Sequence, residues 1–151
     1  MFDNYTFRAK CKDTGEWLYG YYVKHNTVMT CFASDNPRPK HYIVNDGSAC
    51  DWGFEPPLQA TEIDRMTLCR CPNIKDKNNH MIFENDIVRH VQYGIGRIVY
   101  LQQAAGWVFV WDGYDSRMGH RAAGSLYDKD NSVEIIGNIF DNPKLMEASN
   151  G

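Results

Sequence analysis

Short alternating segments separated by turn residues are the feature of this sequence that most constrains its fold. In the first segment, apolar side chains alternate with polar ones at Phe7, Ala9 and Cys11, ahead of the turn sequence "KDTGEW". The segment after the turn carries large apolar side chains at alternate positions: Trp17, Tyr19, Tyr21 and Val23. This pattern predicts a half-buried antiparallel hairpin, with Gly15 at a turn position that needs positive φ.

The C-terminal half has the same character. The segments "DIVRHVQY", "RIVYL", "GWVFVWDG" and "SVEIIGNIF" each fit a short strand, and "YGIGR" fits a tight bend. Short strands with glycine between them are typical of an SH3-like barrel, which closes a small sheet and so hides its edges. The ending "DNPKLMEASNG" predicts one helical turn, capped by Asp141 or Asn142, with Pro143 in the first helical position.

The connecting segment Thr61–Cys71 fits a turn that leads into a strand. The fold class predicted from these patterns is mainly β: an antiparallel N-terminal hairpin region plus a C-terminal SH3-like small barrel, with little helix. A chain of 151 residues suits one domain. We expect a single domain over residues 1–151, with an N-terminal β lobe at about 1–70 and a C-terminal barrel-like lobe at about 71–142.

Composition and charge disfavour several functional classes. The net charge of −3 and the absence of a basic stripe disfavour a nucleic-acid-binding protein. No run of eighteen apolar residues is present, so no transmembrane helix is expected, and the N-terminus lacks the pattern of a secretory signal. Five scattered cysteines fit reduced thiols. We therefore expect a cytoplasmic protein without a membrane partner.

The stretch "IKDKNNHMIFENDIV" is rich enough in acidic and amide side chains to suggest a metal loop. Counted from Asp76, however, a calcium-binding EF-hand would need glycine where Met81 stands and glutamate where Ile87 stands. The stretch instead fits a hairpin turn followed by a corner. In that interpretation Met81 and Phe83 face inward, while three residues face the opposite side: His80, Ile82 and Glu84.

The same stretch resembles a family signature. "PNIKDKNNHMIFENDIV" is similar to the signature of the YopX family of phage and prophage proteins, which resembles "TGLKDKNGKEIYEGDIV". The N-terminal "FRAKCKDTGEWLYGYY" and the C-terminal "EIIGNIFDNPKLME" resemble the opening and the ending of that family. The resemblance implies a mainly β fold and a phage or prophage origin, and it implies no catalytic mechanism.

Three departures from the family pattern concern backbone shape. Where the family usually has glycine, this chain has Asn73, Asn79 and Asn85. Asparagine tolerates positive φ better than other residues with a Cβ atom. We therefore predict that all three asparagines keep a left-handed backbone conformation, and that the family glycines form turns rather than a phosphate cradle.

Metal and catalytic motifs are weak. Cys69 and Cys71 would share one face of a strand, but the sequence offers no second pair at zinc-binding spacing, which favours free cysteines over a zinc site. The five histidines are dispersed, and no Gly-x-Ser-x-Gly motif is present. We expect no metal, no cofactor, no catalytic residues and no enzyme activity.

The best candidate surface lies near the third segment of the C-terminal half, "GWVFVWDG". Trp107, Phe109 and Trp111 share one face of the predicted strand, and they either fill the core or form part of an exposed platform with nearby tyrosines. The following segment, "DSRMGHR", supplies groups for an anionic ligand. The candidate ligand- or partner-binding residues are Trp107, Trp111, Tyr114, Arg117, His120 and Arg121.

Three functions remain open at this point. The first is a non-catalytic phage or prophage accessory protein that forms a homo-oligomer and binds a host or phage macromolecule, for instance as a counter-defence factor. The second is a binder of a small anionic ligand, such as a signalling nucleotide, at a subunit interface. The third is a nucleic-acid-binding β-barrel, which the acidic charge disfavours.

Overall fold

The computed structural model describes residues 7–26, 38–46, 56–91, 93–111, 120–122 and 133–147. The chain divides into two compact units. We call Tyr5–Arg70 the N-terminal unit, and we call the unit that contains Cys71–Gly151 the C-terminal unit. Each contains one five-stranded antiparallel sheet. The predicted mainly β fold is confirmed, whereas the assignment of the whole chain to a single domain stays a prediction.

The N-terminal sheet has the strand order β4-β3-β2-β1-β5. Its strands are β1 (Phe7–Lys10), β2 (Trp17–Asn26), β3 (Pro39–Asp46), β4 (Leu58–Glu62) and β5 (Cys69–Arg70). The hairpin of β1 and β2 is confirmed, and Gly15 in its turn has φ +73°. Between β4 and β5, Asp64 caps a short 3-10 turn, Arg65–Thr67, which confirms the predicted turn leading into a strand.

One face of the N-terminal sheet forms the core of this unit. Ala9 lies opposite Leu18, and Tyr22 lies opposite Ile43, so these side chains share one face. Ala9, Ile43 and Ile63 are almost fully buried there. Four partly buried side chains complete the cluster: Phe7, Leu18, Tyr22 and Leu68.

The C-terminal sheet has the strand order β10-β6-β7-β8-β9. Its strands are β6 (Asp86–His90), β7 (Gly94–Leu101), β8 (Gly106–Trp111), β9 (His120–Ala122) and β10 (Val133–Asn138). Across the residues that the structure describes, β10 and β9 are the two edges of an open sheet. The predicted closed SH3-like barrel is therefore not confirmed. One short helix, α1 (Lys144–Glu147), follows β10 and confirms the predicted helical turn.

The glycines of "YGIGR" are part of a strand and do not form the predicted bend. Gly94 opens β7 with φ +79°, and Gly96 lies inside that strand, opposite Trp111. A Cβ atom on Gly96 would lie 2.4 Å from the carbonyl oxygen of Val110 and 2.6 Å from the ring of Phe109. Gly96 is therefore explained by close packing of β7 against β8.

The core of the C-terminal unit is built around β6, β7 and β8. Its buried members are Ile82, Val88, Ile98, Phe109 and Val133. The predicted outward orientation of Ile82 is wrong, because this side chain is only 3% exposed and packs in the cluster. Ile82 and Phe83 are both buried although they are neighbours, so the segment before β6 does not alternate as a regular strand would.

The three asparagines adopt the predicted left-handed conformation. Their φ values are +61° at Asn73, +66° at Asn79 and +66° at Asn85. Asn79 lies inside a hairpin-like turn in which Lys75 pairs with Met81. Asn85 stands at the corner before β6, where its N–H donates to the carbonyl oxygen of Ile98 over 2.8 Å. The predicted left-handed conformation is therefore confirmed at all three positions.

Asp76 joins this turn to β10. One carboxylate oxygen accepts the backbone N–H groups of Asn78 and His80 over 2.9 Å each, and the other accepts that of Ile135 over 3.2 Å. The side chain is fully buried. Burial by itself would raise the pKa of Asp76, but the three N–H donors outweigh it and hold the pKa below its usual value.

Candidate binding surface

The predicted site residues of the C-terminal unit fall into three groups. Trp107 and Trp111 lie on β8. His120 and Arg121 lie on β9, where their backbones pair with Val110 and Phe109 of β8. Tyr114 and Arg117 lie outside the residues that the structure describes. The pairing brings β8 and β9 side by side, so four of the six predicted residues belong to neighbouring strands.

The aromatic side chains of β8 that the structure describes contribute to packing. Phe109 is fully buried in the core cluster, and Trp107 packs against that cluster. Tyr100 of β7 meets the Trp107 ring edge-on, with centroids 5.4 Å apart. Tyr93 stacks on His90 at 4.6 Å. The strand was expected either to fill the core or to form an exposed aromatic platform. Phe109 fills the core, and Trp107 is partly buried against it.

An exposed aromatic surface lies instead on the N-terminal sheet. Tyr19, Tyr21 and Val23 of β2 are 49%, 50% and 43% exposed. Alternate residues of a strand point to the same side, so these three form a row, which Trp17 extends. Tyr42 of β3 lies opposite Val23 and broadens the row onto the next strand. We call Trp17, Tyr19, Tyr21, Val23 and Tyr42 the aromatic face.

Two cations pack at one end of the aromatic face. The Arg8 guanidinium carbon is 4.6 Å from the centre of the Trp17 ring, and the Lys10 ammonium is 5.4 Å from it. Arg8 and Lys10 lie opposite Tyr19 and Trp17 in the register of β1 and β2. Both distances are within the range of cation–π attraction, which fixes the Trp17 ring and places positive charge beside the aromatic row.

Sequence reasoning identified the alternation of β2 but not the exposure of this row. The apolar row of β1, Phe7 and Ala9, faces the core, and its partners on β2 are Gly20 and Leu18. The row that begins at Trp17 therefore shares its face with the polar residues of β1. The signal was present as six apolar or aromatic residues in "WLYGYYV", which is more than one buried row can use.

Metal-ligating side chains do not converge in the described ranges. No group of three or more His, Cys, Asp or Glu residues lies close enough there to hold a metal ion. The Sγ atom of Cys69 is 3.3 Å from the carbonyl oxygen of Thr67, and that of Cys71 is 3.7 Å from the carbonyl oxygen of Ile82. These two thiols therefore contact backbone groups in different units of the chain.

Comparison with known proteins identifies a family. The model of the YopX protein family matches residues 6–147, which is nearly the whole chain, and this confirms the resemblance seen in three sequence segments. The comparison with curated proteins found no match. Among the helices in the described part of the chain, none has the length and apolar character needed to cross a membrane.

Proposed function

We propose that this chain, which belongs to the YopX family, is a non-catalytic phage or prophage accessory protein that binds a protein partner through the aromatic face. The exposure of Tyr19 and Tyr21, each about half accessible on the same side of β2, is the observation that carries this proposal. The partner we propose is a host-cell protein in the cytoplasm, for instance a component of host defence.

The chemistry of the aromatic face suits a protein partner. Tyrosine and tryptophan are enriched at protein interfaces, where their large rings bury much area and lose little conformational freedom. The partly exposed Lys10 side chain beside Trp17 adds charge at the rim of the apolar row, whereas Arg8 is buried against the Trp17 ring. A patch that is apolar at its centre and charged at its edge is typical of a transient protein–protein interface.

Nucleic acid is the less favoured partner. Aromatic side chains on a sheet can stack on bases, but single-strand binding also requires a positively charged groove. The chain carries a net charge of −3, and the two cations beside Trp17 lie at one end of the aromatic face. A protein partner therefore fits the charge of this surface better.

The absence of catalysis is part of the proposal. Two buried carboxylates would be candidates for acid–base catalysis, but both accept hydrogen bonds from backbone N–H groups. Asp76 accepts three N–H groups, and Asp86 accepts the N–H of Phe83 over 2.8 Å. A carboxylate fixed in this way stabilises a turn and is poorly placed to transfer protons.

The test is partner capture with a matched set of variants. Wild type, a Tyr19→Ser/Tyr21→Ser double variant and Val91→Ser are immobilised and exposed to host lysate. Val91 is 86% exposed in the C-terminal unit, so its replacement controls for the loss of an exposed apolar side chain. A captured protein is then purified and its affinity for each variant is measured by calorimetry.

We expect the double variant to bind the purified partner at least tenfold more weakly, and Val91→Ser to bind it like wild type. Equal affinity of all three would reject the aromatic face as the binding surface. A captured nucleic acid with salt-dependent affinity would support the alternative partner. Light scattering tests the proposed homo-oligomer, and a monomer at all concentrations would exclude it.

A further inference from the structure

A pocket of about 430 Å³ opens in the N-terminal unit where β3 begins and β4 ends. Its charged and polar lining comes from three parts of the unit: Lys12, Lys40, His41, Glu62, Asp64 and Arg65. The volume lies within the range of small-molecule sites. No residue of the aromatic face lines this pocket, so its function is a separate question.

Two of the three cations around the pocket are available for a ligand. Lys12 makes an ion pair with Glu62, with 2.9 Å between the ammonium nitrogen and the nearer carboxylate oxygen. Within the described part of the chain, neither Lys40 nor Arg65 makes an ion pair. A guanidinium offers a planar pair of donors and an ammonium a compact charge, and together they match a phosphate group.

His41 also lines the pocket, as an uncharged donor or acceptor. Its Nδ1 atom lies 2.6 Å from the hydroxyl of Tyr22, and the two rings are stacked. Burial, followed by the nearby charges of Arg65 and Lys24, lowers the pKa of His41 below its usual value. The imidazole is therefore neutral at pH 7 and adds no further repulsion to the cationic side of the pocket.

The two carboxylates give the pocket a second kind of recognition. One oxygen of Glu62 accepts from Lys12, and one oxygen of Asp64 accepts the backbone N–H of Met66 over 3.0 Å. The other oxygen of each has no hydrogen-bond partner among the residues the structure describes. These two acceptors would bind hydroxyl or amino groups.

We propose that this pocket binds a small phosphorylated compound that also carries hydroxyl or amino groups. Lys40 and Arg65 bind the phosphate, and Glu62 and Asp64 accept hydrogen bonds from the remainder of the compound. The site goes beyond the proposed protein interface and does not depend on it, since no residue is shared.

Calorimetry with three probes tests the site. Inorganic phosphate supplies the anion alone, ribose 5-phosphate supplies the anion with hydroxyl groups, and ribose supplies the hydroxyl groups alone. Each is titrated into the wild-type chain and into three variants: Lys40→Gln, Arg65→Gln and Lys144→Gln. Lys144 is exposed on α1 in the other unit, so its variant removes the same charge away from the pocket.

We expect ribose 5-phosphate to bind more tightly than phosphate, and ribose alone not to bind at millimolar concentration. Arg65→Gln and Lys40→Gln should each weaken ribose 5-phosphate binding on the order of tenfold, whereas Lys144→Gln should leave it unchanged. No binding of either phosphate-bearing probe to wild type would overturn the proposal, as would equal binding to Arg65→Gln and Lys144→Gln.

The titration of His41 by NMR gives a second readout that does not need a variant at the pocket. Tyr22 contacts this ring, and the charges of Arg65 and Lys24 act on it; the other charged groups that line the pocket are Lys12, Lys40, Glu62 and Asp64. A bound phosphate adds negative charge beside the imidazole, so ribose 5-phosphate should raise the pKa of His41. An unchanged titration curve at saturating probe would place the phosphate elsewhere and reject the site.

Discussion

Strands β2 and β8 have the same sequence pattern but different surroundings. Each carries large aromatic side chains at alternate positions within one antiparallel sheet. On β2 the row that includes Tyr19 and Tyr21 is about half exposed, whereas on β8 Phe109 is fully buried and its neighbour Val108 is 3% exposed. Both faces of β8 are therefore covered over this stretch, and one face of β2 is not.

The difference shows what alternation can and cannot predict. A period of two identifies the residues that share a face of a strand. Whether that face is covered depends on what packs on it, and this is a property of the tertiary structure. The N-terminal sheet uses its aromatic residues for a surface that we propose for binding, and the C-terminal sheet uses them for stability.

The strongest test of this contrast is removal of the Phe109 ring. Phe109→Ala leaves a cavity in the core cluster of Ile82, Val88 and Ile98. We expect the free energy of unfolding of the C-terminal unit to fall by about 3–5 kcal/mol, measured by urea denaturation. A loss below about 1 kcal/mol would mean that β8 is not a core strand.

The second test concerns the buried carboxylate of the C-terminal unit. Asp76→Asn replaces an acceptor oxygen with an NH₂ group that faces backbone donors, including that of Ile135. We expect a loss of about 3 kcal/mol in the free energy of unfolding. Asp64→Asn in the N-terminal unit is the control, since Asp64 is exposed and accepts one backbone N–H. Asparagine caps such a turn about as well as aspartate, so this substitution should cost less than about 0.5 kcal/mol.

The same carboxylate predicts a dependence on pH. The pKa of Asp76 is lowered in the folded chain, so its ionised form contributes stability above the unfolded-state pKa of about 4. That contribution disappears as the pH falls through the lower folded-state pKa. Urea denaturation from pH 6 down to acid should show a smaller loss of stability for Asp76→Asn than for wild type. If the unfolding free energies of wild type and Asp76→Asn fell in parallel with pH, the pH dependence could not be assigned to Asp76.

A smaller effect is expected at the left-handed asparagines of the C-terminal unit. Asn79 has φ +66°, a conformation that strains residues with a Cβ atom and suits glycine. Asn79→Ala should cost about 1 kcal/mol, and Asn79→Gly should be neutral or stabilising. Equal destabilisation by both substitutions would show that the asparagine side chain, not the backbone shape, is needed at this turn.

The smallest effect on stability is expected on the aromatic face. Tyr21 is 50% exposed, so Tyr21→Ala should change the free energy of unfolding by less than about 1 kcal/mol. This substitution removes about as large a ring as Phe109→Ala, which makes the two a matched pair across the two sheets. If Tyr21→Ala lowered the free energy of unfolding by more than about 2 kcal/mol, the aromatic face would be packed against other residues. Strands β2 and β8 would then not differ in burial.

Local backbone requirements were predictable from the sequence. Gly15 and the three asparagines were assigned positive φ because steric limits on φ act within one or two residues of the chain. The hairpin of β1 and β2, the turn before β5 and the final helical turn depend on similarly short-range chemistry.

The exposed surface and the pocket were not predictable in this way. The pairing of Ala9 with Leu18 decides which row of β2 faces the core, and a shift of one residue would exchange the two rows. The pocket combines Lys12, Lys40 and Arg65 from separate segments. The Asp76 carboxylate accepts a hydrogen bond from the N–H of Ile135, which lies 59 residues further along the chain.

The sequence by itself determined a mainly β fold, its turns and its family. Only the tertiary structure decided that Tyr19 and Tyr21 of β2 are exposed, that Phe109 of β8 is packed, and that three cations line one pocket in the N-terminal unit. The physical reason is that turn conformation is set by local steric energy, whereas burial depends on strand register and on contacts between residues far apart in sequence.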